Sequence, residues 1–284
     1  MKLLTVQLPD SHNIFHFGDV HKGSQLSCEA GWEQFVYMTN HKYDGCKNNY
    51  GIDGSDMIEA IMVDDKRFSN ENVTEPQPLA QMKQAIKDRQ RIKSRLLCIL
   101  QGNHERKLWR FGDIAAYIAK DLGVPYGTFT AKISIVDKHG NLMYKIFETH
   151  GRKSINSTAD DPKRRKTNLN LILKRHLKFK AADCAVMIKH HTHKLLVCGP
   201  EKELYLTDDG NKIQQNYTHW GQSESYIHPD ARWYGNAGSF LKLYADDFSG
   251  YAEVAEYDPV ELGFLVTKVR DRKIVSVDLV YLDI

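Results

Sequence analysis

The sequence Ala185-Val186-Met187-Ile188-Lys189-His190-His191-Thr192-His193-Lys194 joins an apolar run to three histidines within four positions. The apolar run has the length and composition of a buried strand. Imidazole is costly to bury, so a core strand has little structural reason to end in this way. Neutral imidazole is also the commonest side-chain metal ligand. Taken alone, the cluster leaves a metal site and a solvated polar loop equally open, and a metal site needs partners elsewhere in the chain.

The chain has 284 residues, of which 42% are hydrophobic and 26% are charged, and its net charge is +3. These values are ordinary for a soluble globular protein. Without an internal repeat or a linker, the sequence predicts a single domain over residues 1–284. No apolar stretch is long enough to span a bilayer, and residues 1–10 are too short and polar for a signal peptide. We therefore expect a cytoplasmic protein without a membrane partner, and its oligomeric state stays open.

The five cysteines are scattered, and none belongs to a C-x-x-C pair. This distribution argues against a disulfide framework and against a thiolate zinc site. Cys98 and Cys184 lie within apolar runs and are expected to be buried thiols.

Strands and helices alternate in the first half of the chain. Ser55 or Asp56 is expected to cap a helix that continues to about Asp64. The other predicted elements of this half are strands at 13–18, 50–54 and 96–100 and helices at 29–39, 79–95 and 107–122.

The second half is richer in predicted strands, beginning with a hairpin of residues 132–136 and 142–149. From Pro162 to Lys180 there are eight Lys or Arg residues and no carboxylate. We expect a basic helical insertion at about 160–180, which is either a solvated face or a footprint for phosphates. The remaining predicted strands are 184–188, 195–206, 234–245, 251–257, 263–270 and 273–282.

This order of elements predicts an α/β fold, a four-layer α-β-β-α sandwich of two mixed sheets with flanking helices. In such folds, ligands gather where strands end. Polar clusters follow five of the predicted strands, and they comprise Asp19 and His21, Asp56, Asn103 and His104, His150, and His191 with His193.

Each cluster alone has a simpler explanation, such as a helix cap for Gly-Asn-His-Glu at 102–105. Five clusters at strand ends are harder to dismiss together. Carboxylate, imidazole and amide ligands suit Mn²⁺, Fe²⁺ or Zn²⁺. Seven ligands are too many for one catalytic ion with an open position, and they match two ions that share a bridging carboxylate.

The order D-x-H, Asp at a strand-to-helix turn, G-N-H-[D/E], H and H-x-H resembles the calcineurin-like metallophosphoesterase superfamily. The blocks run from Asp19 to His193, about two thirds of the chain, and Asn236-Ala237-Gly238-Ser239-Phe240 is similar to the N-x-G-S segment often found downstream. The resemblance implies a binuclear phosphoesterase with two divalent metal ions, Mn²⁺ before Fe, Zn, Ni or Mg.

The resemblance also implies a role for each matching residue. Asp56 would bridge the two ions, and His104 would contact the phosphoryl oxygen or protonate the leaving group. The first ion would be held by Asp19, His21 and His193, and the second by Asn103, His150 and His191.

The chain departs from the family pattern at three positions. Ser55 stands where Gly is usual, which is a mild change unless the turn needs a positive φ. Glu105 stands where Asp is commoner, and His190 stands where Gly precedes H-x-H. His190 could crowd the loop, contact substrate or act as a ligand, and Asp53 is a weaker rival to Asp56 for the bridge.

The resemblance implies hydrolysis of a phosphoester, and the sequence favours a nucleic-acid phosphodiester over the alternatives. Arg152, Lys153 and Arg106 are the candidate phosphate contacts. Aromatic residues that could stack on bases are Trp220, Tyr226, Trp233, Tyr234 and Phe240. The alternatives are a phosphatase or phosphodiesterase of small nucleotides and, from another class, a non-catalytic metal-binding scaffold.

Overall fold

The computed structural model describes residues 1–218 and 221–282. Within these ranges, one sheet consists in spatial order of β13 (Lys273–Tyr281), β12 (Gly263–Arg270), β2 (His12–Phe17), β3 (Asn49–Asp53) and β4 (Leu96–Ile99). The last three strands are parallel, and β12 is antiparallel to both of its neighbours. The carboxyl ends of β2, β3 and β4 therefore meet at one edge of the sheet.

The described residues also form a six-stranded mixed sheet, in which β6, β7 and β11 are parallel neighbours. Its strands in spatial order are β1 (Lys2–Gln7), β5 (Thr130–Val136), β6 (Leu142–Thr149), β7 (Val186–Lys189), β11 (Trp233–Ala237) and β8 (Leu195–Cys198). A separate two-stranded sheet contains β9 (Leu204–Asp208) and β10 (Ile213–Tyr217).

Local signals define the ends of several helices. The Asp113 side chain accepts a hydrogen bond from the N–H of Ala116, and Gly123 ends the same helix with a φ of 69°. In the described ranges, the helices are α1 (Glu29–Asn40), α2 (Pro78–Gln90), α3 (Asn103–Lys107), α4 (Ile114–Leu122), α5 (Pro162–Leu177) and α6 (Tyr251–Val254).

Side chains alternate between the two faces of each strand, and apolar side chains are packed on both faces of each larger sheet. Ile14 of β2 lies in a core cluster with Ile133 of β5, between the two larger sheets. Phe15 and Phe17 point to the other face, where they pack with Trp32 of α1. The predicted mixed α/β class is thus confirmed.

The basic stretch 162–180 forms α5 and the residues that follow it. Leu173 and Leu177 of this helix are buried with Phe147 and Met187, on the face of the six-stranded sheet opposite the inter-sheet core. The basic side chains therefore extend from a helix that is anchored by its apolar face.

The predicted helix from Ser55 or Asp56 to Asp64 does not form. Ser55 and Asp56 have positive φ angles of 76° and 47°, and the N–H of Met57 donates to Glu105 Oε1 at 2.5 Å. Long-range hydrogen bonds therefore hold this backbone in place of helical ones. The apolar positions of the predicted helix are still buried at Ile58 and Ile61.

Other boundaries also differ from the predictions. The helix expected at 107–122 is interrupted before α4 by Gly112, which has a φ of 102°. The strand expected at 251–257 contains α6 instead, and β1 and β10 were not predicted. Cys98 and Cys184 are buried free thiols, as predicted. Across 1–218 and 221–282, no helix combines the length and apolarity needed to cross a membrane.

Arg89 of α2 and Asp53 of β3 form an ion pair in which both side chains are fully buried. Arg89 Nε lies 2.6 Å from Asp53 Oδ2, and the guanidinium carbon lies 5.2 Å from the centre of the Trp32 ring. Asp53 Oδ1 also accepts the N–H of Ser55 at 2.9 Å. The pair therefore connects α2 to the end of β3.

We expect Arg89→Ala to lower the free energy of unfolding by about 3–5 kcal/mol, because it leaves a buried carboxylate without its cation. Urea unfolding followed by circular dichroism measures this change. Arg91→Ala is the matched control, since Arg91 forms an exposed pair with Glu33, and such pairs contribute about 0–1 kcal/mol. Equal losses in the two variants would contradict the assigned role of the buried pair.

Candidate metal centre

The predicted site residues come together where five strands end. Asp19 and His21 follow β2, Asp56 follows β3, and Asn103 follows β4. The six-stranded sheet contributes His150 after β6, and His191 and His193 after β7. Both sheets thus supply side chains to one edge of the fold.

Two groups of side chains have ligand atoms that lie within 4.8 Å of one another. Asp19, His21 and His193 form the first group, and Asp56, His150 and His191 form the second. The first group equals the first predicted set. The second contains His150 and His191 of the second predicted set, together with the predicted bridge Asp56. In each group two side chains are buried and one is partly buried.

The first group contains buried polar atoms without partners. His21 Nδ1 donates to Glu59 Oε2 at 2.7 Å, which leaves the lone pair of a neutral ring on Nε2. Within the described part of the chain, His21 Nε2 and Asp19 Oδ1 are buried and make no hydrogen bond, and the nearest charged group to Asp19 Oδ1 is the His193 ring, with Nε2 at 3.3 Å. Unpaired buried acceptors are expensive, and a cation would satisfy both.

In the second group, two oxygen acceptors lie close to one imidazole nitrogen. His150 Nδ1 donates to the carbonyl oxygen of Gly54 at 2.8 Å. Its Nε2 lies 2.9 Å from Asn103 Oδ1 and 3.2 Å from Asp56 Oδ2. Two oxygen atoms and an imidazole nitrogen can share this space favourably only around a proton or a metal ion. The donor set therefore fits a divalent ion.

Burial disfavours the charged forms of these side chains, but neighbouring opposite charges have the larger effect on their pKa values. Burial alone would raise the pKa of Asp19, but contact with His193 lowers it well below its ordinary value. Burial would lower the pKa of His150, but the Asp56 carboxylate raises it to about 9. At His21, burial is outweighed by the charges of Glu59, Asp56 and Asp19, which raise its pKa. Asp56 thus acts electrostatically on both groups.

Five of the seven predicted ligands have a left-handed backbone. This conformation is uncommon outside glycine and costs about 1–3 kcal/mol per residue. The φ angles are 52° at Asp19, 54° at His21, 47° at Asp56, 78° at His191 and 56° at His193. Strain concentrated at one site is typical of residues held for function.

Two of the unusual residues contact each other. Ser55 does occupy a left-handed position, so the turn has the conformation that glycine would adopt most easily. The Ser55 hydroxyl donates to Glu105 Oε2 at 3.0 Å. Burial, with the nearby Asp56 charge, raises the pKa of Glu105 to about 7. Glu105 contacts the Asp56 turn rather than the His104 side chain.

The third unusual residue, His190, is fully buried. Its Nε2 lies 2.8 Å from Glu148 Oε1, and the other oxygen of Glu148 lies 2.9 Å from His16 Nδ1. A Cβ atom on Gly54 would lie 2.1 Å from His190 Nδ1. The ring therefore fills the space beside a glycine and leaves no surface for the substrate contact that the sequence suggested.

Asp53 is engaged by Arg89 and Ser55, so it does not belong to either ligand group. Glu59, in contrast, was missed by the sequence reasoning. It forms a third buried group with His21 and His104, and its carbonyl oxygen accepts a hydrogen bond from His104 Nδ1. Glu59 thus orients one predicted ligand and the predicted non-ligand histidine.

The predicted phosphate contacts are exposed residues within three positions of predicted ligands, and we call them the rim of the site. Arg152 and Lys153 are exposed directly after His150. Arg106 is exposed on α3, and its guanidinium carbon lies 5.6 Å from the centre of the Phe129 ring. Burial and the charge of Arg165 on α5 lower the pKa of Lys194, which follows His193. Arg165 of the basic helix therefore lies close enough to Lys194 to act on its charge.

Most of the aromatic residues predicted to stack on bases are unsuited to that role. Tyr234 and Phe240 are fully buried because they belong to apolar clusters. Trp233 is partly buried, Tyr226 is exposed, and Trp220 lies outside the described residues.

Neither a scan against models of known protein families nor a search of curated proteins finds a match to this chain. The chemistry of the site therefore carries the functional argument.

We expect the protein to bind Mn²⁺ and Asp56→Asn to weaken that binding by at least about tenfold, because a charged oxygen near both groups is lost. Isothermal titration calorimetry and metal analysis after gel filtration measure this effect. Asp246→Asn provides the same substitution at an exposed aspartate outside the ligand groups. Metal binding that is equal in both variants would contradict the site.

We expect Gly54→Ala to lower the free energy of unfolding by roughly 1–3 kcal/mol, because the new methyl group overlaps the His190 ring. In a His190→Ala background the same substitution is expected to cost less, since the overlap is gone. Urea unfolding of the parent protein, the two single variants and the double variant gives the coupling energy between the two positions. Additive effects would show that His190 does not fill this space.

Proposed function

We propose that this protein is a metal-dependent phosphodiesterase of the calcineurin-like type, acting on nucleic acid. The observation that supports this most is the convergence of two candidate ligand groups at strand ends, the first of which contains buried acceptors that make no hydrogen bond. Core clusters on both faces of each larger sheet also support the four-layer α-β-β-α arrangement that accompanies this function.

In this proposal each ion has its own set of ligands. Asp56 would be the carboxylate shared by the two ions, since its charge raises the pKa of a histidine in each group, His21 and His150. Asp19, His21 and His193 would hold one ion, and Asn103, His150 and His191 would hold the other. Divalent ions, Mn²⁺ in the first place, would neutralise the charge of the phosphoryl group and make water a stronger nucleophile at neutral pH.

His104 would act on the substrate rather than as a metal ligand. Its Nδ1 is held by the carbonyl oxygen of Glu59, so Nε2 is the ring nitrogen that stays available. Its ring meets that of His21 edge-on, with centres 4.5 Å apart. Burial lowers the pKa of His104 to about 4, and the negative charge of a bound phosphoester would favour its protonated form. A protonated Nε2 would donate to the phosphoryl oxygen or to the leaving oxygen.

The rim of the site supports a polyanionic substrate. Arg152 and Lys153 extend from the loop that begins at His150, and both are exposed. Cationic side chains here would contact phosphates on either side of the bond that is hydrolysed. A phosphodiester within a chain offers such neighbouring phosphates, whereas a small phosphomonoester does not.

We expect the purified protein with Mn²⁺ to hydrolyse bis-p-nitrophenyl phosphate, and His104→Ala to lower kcat by roughly 10²- to 10⁴-fold. Absorbance of released nitrophenolate measures turnover, and metal analysis is expected to show an unchanged metal content. His139→Ala is the control, because His139 is exposed on the turn between β5 and β6.

Lack of turnover with Mn²⁺, Fe²⁺, Ni²⁺ and Zn²⁺ would refute the enzyme and leave a metal-binding scaffold. Loss of metal from His104→Ala would instead make His104 a ligand. Hydrolysis of small nucleotides without hydrolysis of DNA or RNA oligomers would replace the nucleic-acid substrate by a nucleotide.

A further inference from the structure

The turn after α3 exposes two large aromatic side chains a few residues beyond Asn103 and His104. Trp109 is 69% exposed and Phe111 is 68% exposed. Between α3 and this turn, Leu108 is 1% exposed and anchors the backbone in the core that includes Ile118 of α4. Large aromatic side chains ordinarily bury much of their area, so this pair is available to a partner.

The same turn is cationic. From Arg106 to Gly112 the chain has Arg106, Lys107 and Arg110 and no carboxylate. Lys107 Nζ is buried without a hydrogen bond in the described part of the chain, and Asp65 Oδ2 lies 4.0 Å away. Arg106 and Arg110 are exposed. Positive charge and open aromatic faces thus occur on one short segment.

This segment is continuous with the catalytic side of the site. Asn103 and His104 occupy the first turn of α3, and the helix ends at Lys107. Only four residues separate His104 from Trp109, so the exposed aromatic turn follows the candidate site directly in the chain. Tyr117 of α4 is 54% exposed and lies against Gly112, so it extends the aromatic surface.

We propose that residues 106–111 form a stacking platform that binds single-stranded nucleic acid next to the metal centre. This inference rests on the proposed phosphodiesterase function and names its substrate class. Unpaired bases stack on aromatic side chains regardless of sequence, while Arg and Lys contact the phosphates. Paired bases in a duplex do not expose their faces, so the platform selects a single strand.

A second copy of this chain is the rival occupant, because Trp and Arg are also enriched at protein interfaces. The charge favours nucleic acid, since the exposed cations Arg106 and Arg110 would face the same two cations across a two-fold contact. The proximity of His104 also favours a strand whose phosphates reach the ligand groups.

The test is the binding of fluorescein-labelled oligothymidylate to the full-length protein in EDTA, followed by fluorescence anisotropy. We expect Trp109→Ala combined with Phe111→Ala to raise Kd by at least about tenfold, since each stacked base contributes on the order of 1–3 kcal/mol. Trp109→Phe is expected to retain most of the affinity. Arg110→Ala is expected to reduce the salt dependence of binding.

Tyr281→Ala is the matched control, because Tyr281 is 51% exposed on β13, outside the platform. Unchanged Kd in the double variant, or no binding by the parent protein, would overturn the proposal. So would an equal loss in Tyr281→Ala. Analytical ultracentrifugation tests whether a second copy of the chain occupies this surface. A parent protein that is dimeric, together with a double variant that is monomeric and has an unchanged Kd for oligothymidylate, would assign the surface to self-association.

Failure here is distinguishable from failure of the proposed function. Hydrolysis of bis-p-nitrophenyl phosphate by the parent protein tests the metal centre without any base to stack. Turnover of that substrate together with unchanged oligothymidylate affinity in the double variant would retain the phosphoesterase and reject the platform.

Discussion

The buried carboxylate of Glu105 holds together the two turns on which the candidate metal centre depends. Its Oε1 accepts the N–H of Met57 at 2.5 Å, and its Oε2 accepts the Ser55 hydroxyl at 3.0 Å and the N–H of Gly102 at 3.2 Å. Asp56 lies between Ser55 and Met57, and Asn103 follows Gly102. One side chain therefore fixes the distance between the proposed bridging carboxylate and a proposed ligand of the second ion. The hydrogen bonds offset the cost of burying a group whose pKa burial raises to about 7.

The strained backbone at the ligands is held by similar long-range bonds. The carbonyl oxygen of Asp56 accepts the N–H groups of Val20 and His21, both at 3.0 Å. The carbonyl oxygen of Asp19 accepts the N–H of Phe240 and the hydroxyl of Ser239, also at 3.0 Å. These bonds explain why the segment after Asp56 is not a helix. They also give Ser239, in the downstream segment noted from the sequence, a structural role in orienting Asp19.

The sequence predicted which polar residues would meet at the strand ends, because such residues follow directly from apolar runs and their order. Their role as metal ligands stays a prediction. It could not predict Glu59, which lay inside an expected helix and gains its role only by contact with His21 and His104. It also missed Trp109 and Phe111, since periodicity favoured one continuous helix and Gly112 breaks that helix with a positive φ. The role of His190 depends on the space beside Gly54. Such properties arise from tertiary contacts and carry no local pattern.

Both ligand groups draw on both larger sheets, so the site exists only while the sheets remain packed. Asp19 and His21 follow β2 and meet His193 from the other sheet, and Asp56 meets His150 and His191 in the same way. The chain of His16, Glu148 and His190 crosses the same boundary in the core. A ligand that binds only the folded protein stabilises it in proportion to its affinity and concentration. Metal binding across this boundary would therefore oppose separation of the sheets, and the inter-sheet core would in turn set the spacing of the ligands.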